Sequence, residues 1–172
     1  MTNTMIEQWQ DKPNLELVEF IVERFHQVHR QQLPELKQLA LKIEDVHGDH
    51  PQAPLGLGEH LDNMLHELES HMMKEEQILF PMLARDIYPS GPISVMEEEH
   101  EQHDQDIQKI RMLTNDLTLP EGACGSWQAL YKGLDELIQD LNDHIELENT
   151  VLFVEQQAVP THGKDFCCGS CQ

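Results

Sequence analysis

The feature that most constrains this chain is a histidine followed four residues later by a glutamate, which occurs twice inside leucine-rich helical patterns. His71 precedes Glu75, and His144 precedes Glu148. In both segments the apolar residues recur at alternating steps of four and three, and the histidine and glutamate continue that series. These positions form one stripe of a helix, the stripe that faces a core. Because buried ionisable groups are usually paired or bound to a metal, the pattern predicts a metal site.

Composition narrows the class of protein. The chain has 172 residues, which suits one domain, and 32 acidic against 11 basic residues give a formal net charge of −21. This charge argues against nucleic acid and anionic membranes as partners. No apolar run approaches the roughly 20 residues of a membrane span, and the N-terminus lacks a secretion signal, so we expect a cytoplasmic protein. The apolar stripes fill an intramolecular core, which predicts a monomer or weak dimer.

The spacing of apolar and turn residues predicts an all-α fold, an up-down-up-down four-helix bundle. The predicted helices cover residues 14–46, 59–85, 94–117 and 126–157. Asn14 is expected to cap the first helix, and Ser94 with Glu97 to form a capping box for the third. Pro34 and Pro81 should each disturb a turn. The bundle domain is expected to span residues 1–157, and residues 158–172 form a short cysteine-containing tail.

The two halves of the chain repeat the same residue types at nearly the same offsets. His26 precedes His71 by 45 residues, and His100 precedes His144 by 44. A bundle would bring one stripe from each helix to a common axis. The predicted metal ligands are therefore His26, His71, Glu75, His100, His144 and Glu148.

This set of four imidazoles and two carboxylates is similar to the ligands of carboxylate-bridged di-iron proteins. Each of two metals would take two histidines and one oxygen from each glutamate, which leaves room for a bridging oxide or hydroxide and an open position. Nitrogen and oxygen donors without thiolate favour iron or manganese over structural zinc. Oxygen or nitric oxide would bind at the open position.

The other histidines are assigned by their spacing. His29 and His103 lie about one turn from the predicted ligands, so they are either second-sphere partners or substitute ligands. His47 follows His26 by 21 residues, roughly 30 Å along a continuous helix, and is excluded. The remaining histidines are expected at the surface: His50, His60, His66 and His162.

Four segments resemble the hemerythrin-type HHE domain and, more narrowly, the bacterial RIC family of di-iron proteins that repair iron–sulfur clusters. They are HQVHRQQLPEL, SHMMKEEQILFPM, GPISVMEEEH and DHIELENTVLF, within a similarity from about residue 15 to 155. The resemblance implies two iron ions, a cytoplasmic location and repair of clusters damaged by nitric oxide or peroxide. It leaves open iron donation or nitric oxide reduction, the client proteins and the reductant. It carries over the same six ligands. The family also has a histidine that matches His47 and has been discussed as a ligand, but the distance along the helix excludes it here.

One departure from the family concerns cysteine. Many members begin with a small domain bearing a Cys-Cys-Gly motif, which we do not find here; instead the tail contains Cys167, Cys168 and Cys171. Both termini of such a bundle emerge at one end, so the tail is expected to reach the region where that domain would dock. These cysteines are predicted to act in redox transfer or iron handling.

Two alternatives remain from the residues alone. One is a hemerythrin-like protein that binds oxygen or nitric oxide reversibly without turnover. Oxygen carriers of this architecture often add a histidine four residues after the third-helix ligand, and here that position is Asp104. The other alternative is a scaffold that binds a partner through its acidic surface, which the repeated His–Glu pairs disfavour.

Overall fold

The structure, a computed structural model, describes residues 2–155 and contains helices but no strands in that range. It confirms the predicted all-α bundle with four long helices. The helical segments are α1 (Thr2–Trp9), α2 (Asn14–Ile21), a first π-helical turn (Val22–His26), α3 (Gln27–His47), α4 (Leu57–Lys74), a second π-helical turn (Glu75–Leu79), α5 (Phe80–Leu83), α6 (Ser90–Leu113), α7 (Gly125–Leu147) and a third π-helical turn (Glu148–Leu152).

These segments combine into four long helices, because each π-helical turn continues directly from the α-helix before it. The first joins α2, the first π-helical turn and α3; the second joins α4, the second π-helical turn and α5. The third is α6, and the fourth joins α7 to the third π-helical turn. Short connections make sequential helices antiparallel neighbours. No helix within residues 2–155 has the length and apolar content that a membrane span requires.

The buried apolar side chains form two separate clusters along the bundle. One cluster contains side chains such as Leu33, Leu68 and Leu134, and the other contains Phe25, Leu79 and Leu152. Every long helix crosses from one cluster to the other, and at the crossing it buries polar side chains. This polar layer consists of His26, His29, His71, Glu75, His100, His103, His144 and Glu148.

The π-helical turns change which residues face the core. The regular spacing that contains Glu75 predicts Ile78 and Met82 as the next core residues, but Ile78 is 56% exposed. Leu79 and Leu83 are buried in their place. A π-helical turn closes its hydrogen bonds over five residues, so the stripe advances by one position. Pro81 follows this turn, where a disturbed turn was predicted.

Several helix boundaries differ from the prediction. The third helix begins at Ser90, so Ser94 lies inside it and the predicted capping box is wrong. Asn14 is the first helical residue rather than the cap, and its side chain donates hydrogen bonds to the Leu83 carbonyl oxygen and the Tyr88 hydroxyl. Helix α1 was not predicted. The first long helix continues through Pro34.

Candidate metal centre

The six predicted ligands converge in the polar layer, where each side chain is at most 2% exposed. Their donor atoms form two groups of four, and the atoms of each group lie within 4.8 Å of one another. We call His26, Glu75, His144 and Glu148 the first tetrad, and His71, Glu75, His100 and Glu148 the second tetrad. The sequence predicted the six residues, whereas the structure shows which histidines meet.

Each carboxylate directs one oxygen to each tetrad. Oε2 of Glu75 lies 3.3 Å from Nε2 of His26, and its Oε1 lies 3.3 Å from Nε2 of His71. Oε1 of Glu148 lies 3.0 Å from Nε2 of His144, and its Oε2 lies 3.0 Å from Nε2 of His100. The two glutamates therefore connect the tetrads as bridging carboxylates would.

The arrangement of these atoms fits a metal better than a closed hydrogen-bond network. Both oxygens of Glu75 and Oε2 of Glu148 are buried without an aligned hydrogen bond, despite the nearby imidazoles. Donor atoms about 2.1 Å from one metal and at right angles lie about 3.0 Å apart. Six separations within the tetrads, of 3.0–3.3 Å, match that geometry. The distance from Nε2 of His26 to Oε1 of Glu148 is longer, 3.9 Å, as for donors at a wider angle.

The outer nitrogen of each histidine also has a partner. Nδ1 of His26 lies 2.8 Å from Oε1 of Glu76, and Nδ1 of His71 lies 2.9 Å from Oε2 of Glu99. The other two pairs are Nδ1 of His100 with Oδ1 of Asn149 at 2.8 Å, and Nδ1 of His144 with Nε2 of His29 at 3.2 Å. Such partners fix the ring orientation and leave Nε2 for a metal.

Charged side chains hold two of these partners in place. Arg30 binds Oε1 of Glu76 at 2.9 Å and also pairs with Glu69, while Lys74 pairs with Glu99. Burial would raise the pKa of Glu76 and Glu99, but hydrogen bonds and nearby positive charge lower both pKa values instead. Both carboxylates are therefore acceptors at neutral pH.

The metal-free tetrads are strongly charged. Burial favours neutral His71, but the carboxylates of Glu75 and Glu148 outweigh it and raise the pKa of His71 to about 9. The same opposition raises the pKa of His26 and His100. Burial would also raise the pKa of the glutamates, yet the imidazoles keep the pKa of both below the ordinary value.

His144, a member of the first tetrad, and its neighbour His29 have pKa values that are lowered instead of raised. Burial lowers the pKa of His144, and the charge and hydrogen bond of Glu148 compensate only in part. Burial and the neighbouring His144 lower the pKa of His29 well below its ordinary value. At neutral pH, His29 and His144 are therefore uncharged and share a hydrogen bond through one proton.

Aromatic rings enclose three of the four candidate ligand imidazoles. Phe25 stacks on His144 at 5.2 Å, Phe80 on His26 at 5.5 Å, and Phe153 on His100 at 5.7 Å between ring centroids. His71 instead meets the edge of His103. A cavity of about 320 Å³ opens next to His103 and is also lined by Lys74, Glu99 and Gln102.

The other histidines of the described residues lie outside both tetrads. His29 hydrogen-bonds His144 and supplies no atom to either tetrad, and His103 contacts the ring of His71. His47 lies against Cys124 and Trp127, near the start of the fourth helix. His66 is exposed, as predicted, and half-buried His50 packs edge-on against Trp127.

The prediction of a surface position for His60 is wrong. This side chain is 3% exposed, and its Nε2 donates a hydrogen bond of 2.9 Å to the carbonyl oxygen of Asp106. Helix α4 packs against both α3 and α6, so its buried arc is wider than the single stripe seen in the sequence. Asp104 is exposed and lies outside both tetrads. His162 and the tail cysteines Cys167, Cys168 and Cys171 lie outside the described residues.

Comparison with known proteins identifies the family of this chain. Residues 19–155 match the family model described as the hemerythrin HHE cation binding domain. The chain is 52% identical over 149 residues to the iron–sulfur cluster repair protein YtfE of Yersinia pseudotuberculosis serotype O:1b (strain IP 31758). It is 51% identical over 149 residues to the same-named protein of Yersinia pestis (strain Pestoides F).

Both alignments include 86% of this chain and 67% of the relative. They confirm the resemblance to the RIC family that the sequence motifs indicated. The match to the domain model covers the segments that supply all six residues of the tetrads. The chain therefore belongs to the hemerythrin HHE cation binding domain family.

Proposed function

We propose that this chain is a di-iron protein that takes part in the repair of iron–sulfur clusters damaged by nitrosative or oxidative stress. The observation that carries the proposal is the sharing of Glu75 and Glu148 between two buried tetrads of nitrogen and oxygen donors. The relatives that are 51–52% identical to it are named as iron–sulfur cluster repair proteins. That similarity supports the proposal that damaged iron–sulfur clusters are what this protein acts on.

In this proposal each tetrad would hold one iron. His26 and His144 would be ligands of the first and His71 and His100 of the second, and Glu75 and Glu148 would supply one oxygen to each. When bound, the iron pair supplies reducible metal that can bind nitric oxide or oxygen and can be released to a damaged cluster. The donor set contains no thiolate, which favours iron over structural zinc.

The protein's own residues prepare this site. The partners of the outer nitrogens hold each imidazole with Nε2 toward the tetrad, which reduces the reorganisation that metal binding requires. Phe25, Phe80 and Phe153 shield three imidazoles from water. We infer that small molecules reach the second tetrad from the cavity lined by His103 and Glu99, because Glu99 contacts His71.

The first test is the metal content and visible spectrum of protein purified from iron-supplemented cells. We expect about two irons per chain, as two tetrads require, and the absorption of a coupled ferric pair. A well-folded protein with no iron, or with one zinc, would contradict both the cofactor and the six-ligand assignment. This measurement precedes any assay of activity.

The second test separates repair from reversible binding. An iron–sulfur enzyme inactivated by nitric oxide is incubated with the iron-loaded protein and a reductant, and recovery of its activity is measured. Loading the protein with an enriched iron isotope then distinguishes iron donation, in which label enters the client, from nitric oxide reduction, in which it does not. Reversible nitric oxide binding without recovery of the client would favour the carrier or sensor alternative.

We also propose that Cys167, Cys168 and Cys171 act with the centre in redox transfer or iron handling. Phe153, which stacks on His100, lies only 14 residues before Cys167. An extended chain of that length reaches about 45–50 Å, which is long enough to reach the cavity lined by Glu99 and His103. Truncation after Thr161 should lower repair activity while two irons remain bound. Replacing the three cysteines with serine should have the same effect, and full activity in both variants would contradict the proposed role.

A further inference from the structure

We propose that His29 is a positioning residue, through which the surface ion pair of Arg24 and Asp140 holds His144 in the tautomer that can bind a metal. The inference rests on the proposed metal centre but not on cluster repair. It assigns a function to a buried histidine that supplies no atom to either tetrad.

A continuous series of hydrogen bonds joins the first tetrad to the surface. Nδ1 of His144 lies 3.2 Å from Nε2 of His29, and Nδ1 of His29 lies 3.3 Å from Oε1 of Gln32. Nε2 of Gln32 donates to Oδ2 of Asp140 at 2.9 Å. Oδ1 of Asp140 accepts from the guanidinium of Arg24 at 2.6 Å. His29 is fully buried, whereas Arg24 is exposed.

The chemistry of the end groups fixes the direction of every bond in this series. The Asp140 carboxylate only accepts hydrogen bonds, so the Gln32 amide must present its NH₂ to it. The Gln32 carbonyl oxygen then faces His29 and requires a proton on Nδ1 of that ring. A neutral imidazole has one donor and one acceptor, so Nε2 of His29 accepts from Nδ1–H of His144. With its one proton held on Nδ1, His144 would present an unprotonated Nε2 to a metal. In the metal-free protein Oε1 of Glu148, 3.0 Å from this Nε2, competes for the same proton.

The opposite direction would be incompatible with metal binding. Turning the Gln32 amide would place its carbonyl oxygen against the Asp140 carboxylate, a contact between two acceptors. A donor on Gln32 facing His29 would move the His29 proton to Nε2. That proton would oppose Nδ1–H of His144 and shift the His144 proton to Nε2, where the metal must bind.

The other three candidate ligands have simpler partners. His26, His71 and His100 meet acceptor oxygens of Glu76, Glu99 and Asn149 directly. The partner of an Nδ1–H group must be an acceptor, either an oxygen atom or a ring nitrogen that carries no proton. His144 is therefore the one member of the two tetrads whose tautomer depends on a second imidazole.

The experiment compares His29→Phe with His29→Gln in the full chain by titrating the metal-free protein with Co²⁺ without oxygen. In His29→Phe we expect one Co²⁺ to bind about 10–100-fold more weakly and the other to bind as in the wild type. In His29→Gln the amide oxygen replaces the lost acceptor, as Asn149 does for His100, so binding should be restored. Equal losses in both variants would make His29 a ligand or a packing residue, and unchanged binding in both would show that it has no role; either result overturns the inference.

A second pair of variants tests the surface end of the series. Asp140→Lys replaces the acceptor with a donor, so the series should reverse, and Asp135→Lys makes the same charge change at an exposed site of the same helix. The readout is the same Co²⁺ titration. We expect Asp135→Lys to bind both Co²⁺ ions as the wild type does, and Asp140→Lys to bind one of them about 10–100-fold more weakly. Unchanged binding of both ions in Asp140→Lys would overturn control from the surface. Binding of two Co²⁺ without repair activity would refute the proposed function alone.

Discussion

The Nε2 atoms of His71 and His100 lie 3.2 Å apart, and both rings are almost completely buried. Their outer nitrogens are already paired with Glu99 and Asn149. The lone pairs of the two Nε2 atoms would therefore repel each other unless a proton or a metal lies between them. The Nε2 atoms of the first tetrad's histidines repeat the same separation. The metal-free protein must hold protons where the loaded protein would hold metal, and the folding energetics should therefore depend on metal.

Removal of the metal should destabilise the protein without unfolding it. A ligand that binds only the native state adds about 4 kcal/mol at a free concentration 1,000 times its Kd. The two apolar clusters do not depend on the metal, so the bundle should persist. Calorimetric melting before and after chelation measures the change, with re-addition of iron as the control. An unchanged Tm would contradict metal binding in the core.

Glu148→Gln should lower the iron content, because an amide is a weak metal ligand and cannot bridge two ions with two anionic oxygens. The variant keeps the volume of the side chain, so we expect a folded protein with at most one tightly bound iron per chain. Glu146→Gln is the matched control, since Glu146 is exposed on the same helix. Iron is measured per chain by elemental analysis. Two irons in Glu148→Gln would refute its assignment as a bridge.

Glu99→Ala should weaken metal binding at the second tetrad. Glu99 accepts from Nδ1 of His71, and loss of such a partner typically costs about 10–100-fold in metal affinity. Its exposed neighbour supplies the control variant, Glu98→Ala. Competition with a chromophoric chelator gives the affinity of each bound metal. Equal affinities in the two variants would show that the Glu99 contact does not support His71.

The stability of the metal-free protein should fall between pH 6.5 and about 9. His71 has a pKa raised from 6.5 to about 9, so it binds a proton more strongly in the folded state. The resulting stabilisation is complete below pH 6.5 and is lost as the pH rises through about 9. Thermal melts of the chelated protein across this range test the sign. Metal must displace this proton, so metal affinity should increase over the same interval, and a rising Tm would contradict the assignment.

Phe25→Ala should be among the most destabilising single changes at the centre. The ring is fully buried, stacks on His144 and fills space beside the first tetrad, so its loss should cost about 3–5 kcal/mol in the free energy of unfolding. Phe20→Ala is the control, because Phe20 is only half-buried and lies farther from the centre. Urea denaturation of the two variants measures both values. A smaller loss for Phe25→Ala than for Phe20→Ala would contradict this account of the packing.

Some features of the fold are visible in the spacing of residues. The apolar stripe containing Leu61, Met64 and Leu68 predicts a buried helix face, and all three side chains are buried. The same spacing fails beyond Glu75, where Ile78 is exposed. A regular pattern assumes a constant number of residues per turn, and the π-helical turn violates that assumption.

The sequence by itself determined the all-α class, the four long helices and the six ionisable residues that would occupy core positions. These follow from local periodicity, which every residue of a helix shares with its near neighbours in the chain. Only the tertiary structure decided that His26 meets His144, that both glutamates serve both tetrads and that His60 is buried. Those relations depend on how separate helices rotate and pack against one another, and the π-helical turns set that rotation at the ligands themselves.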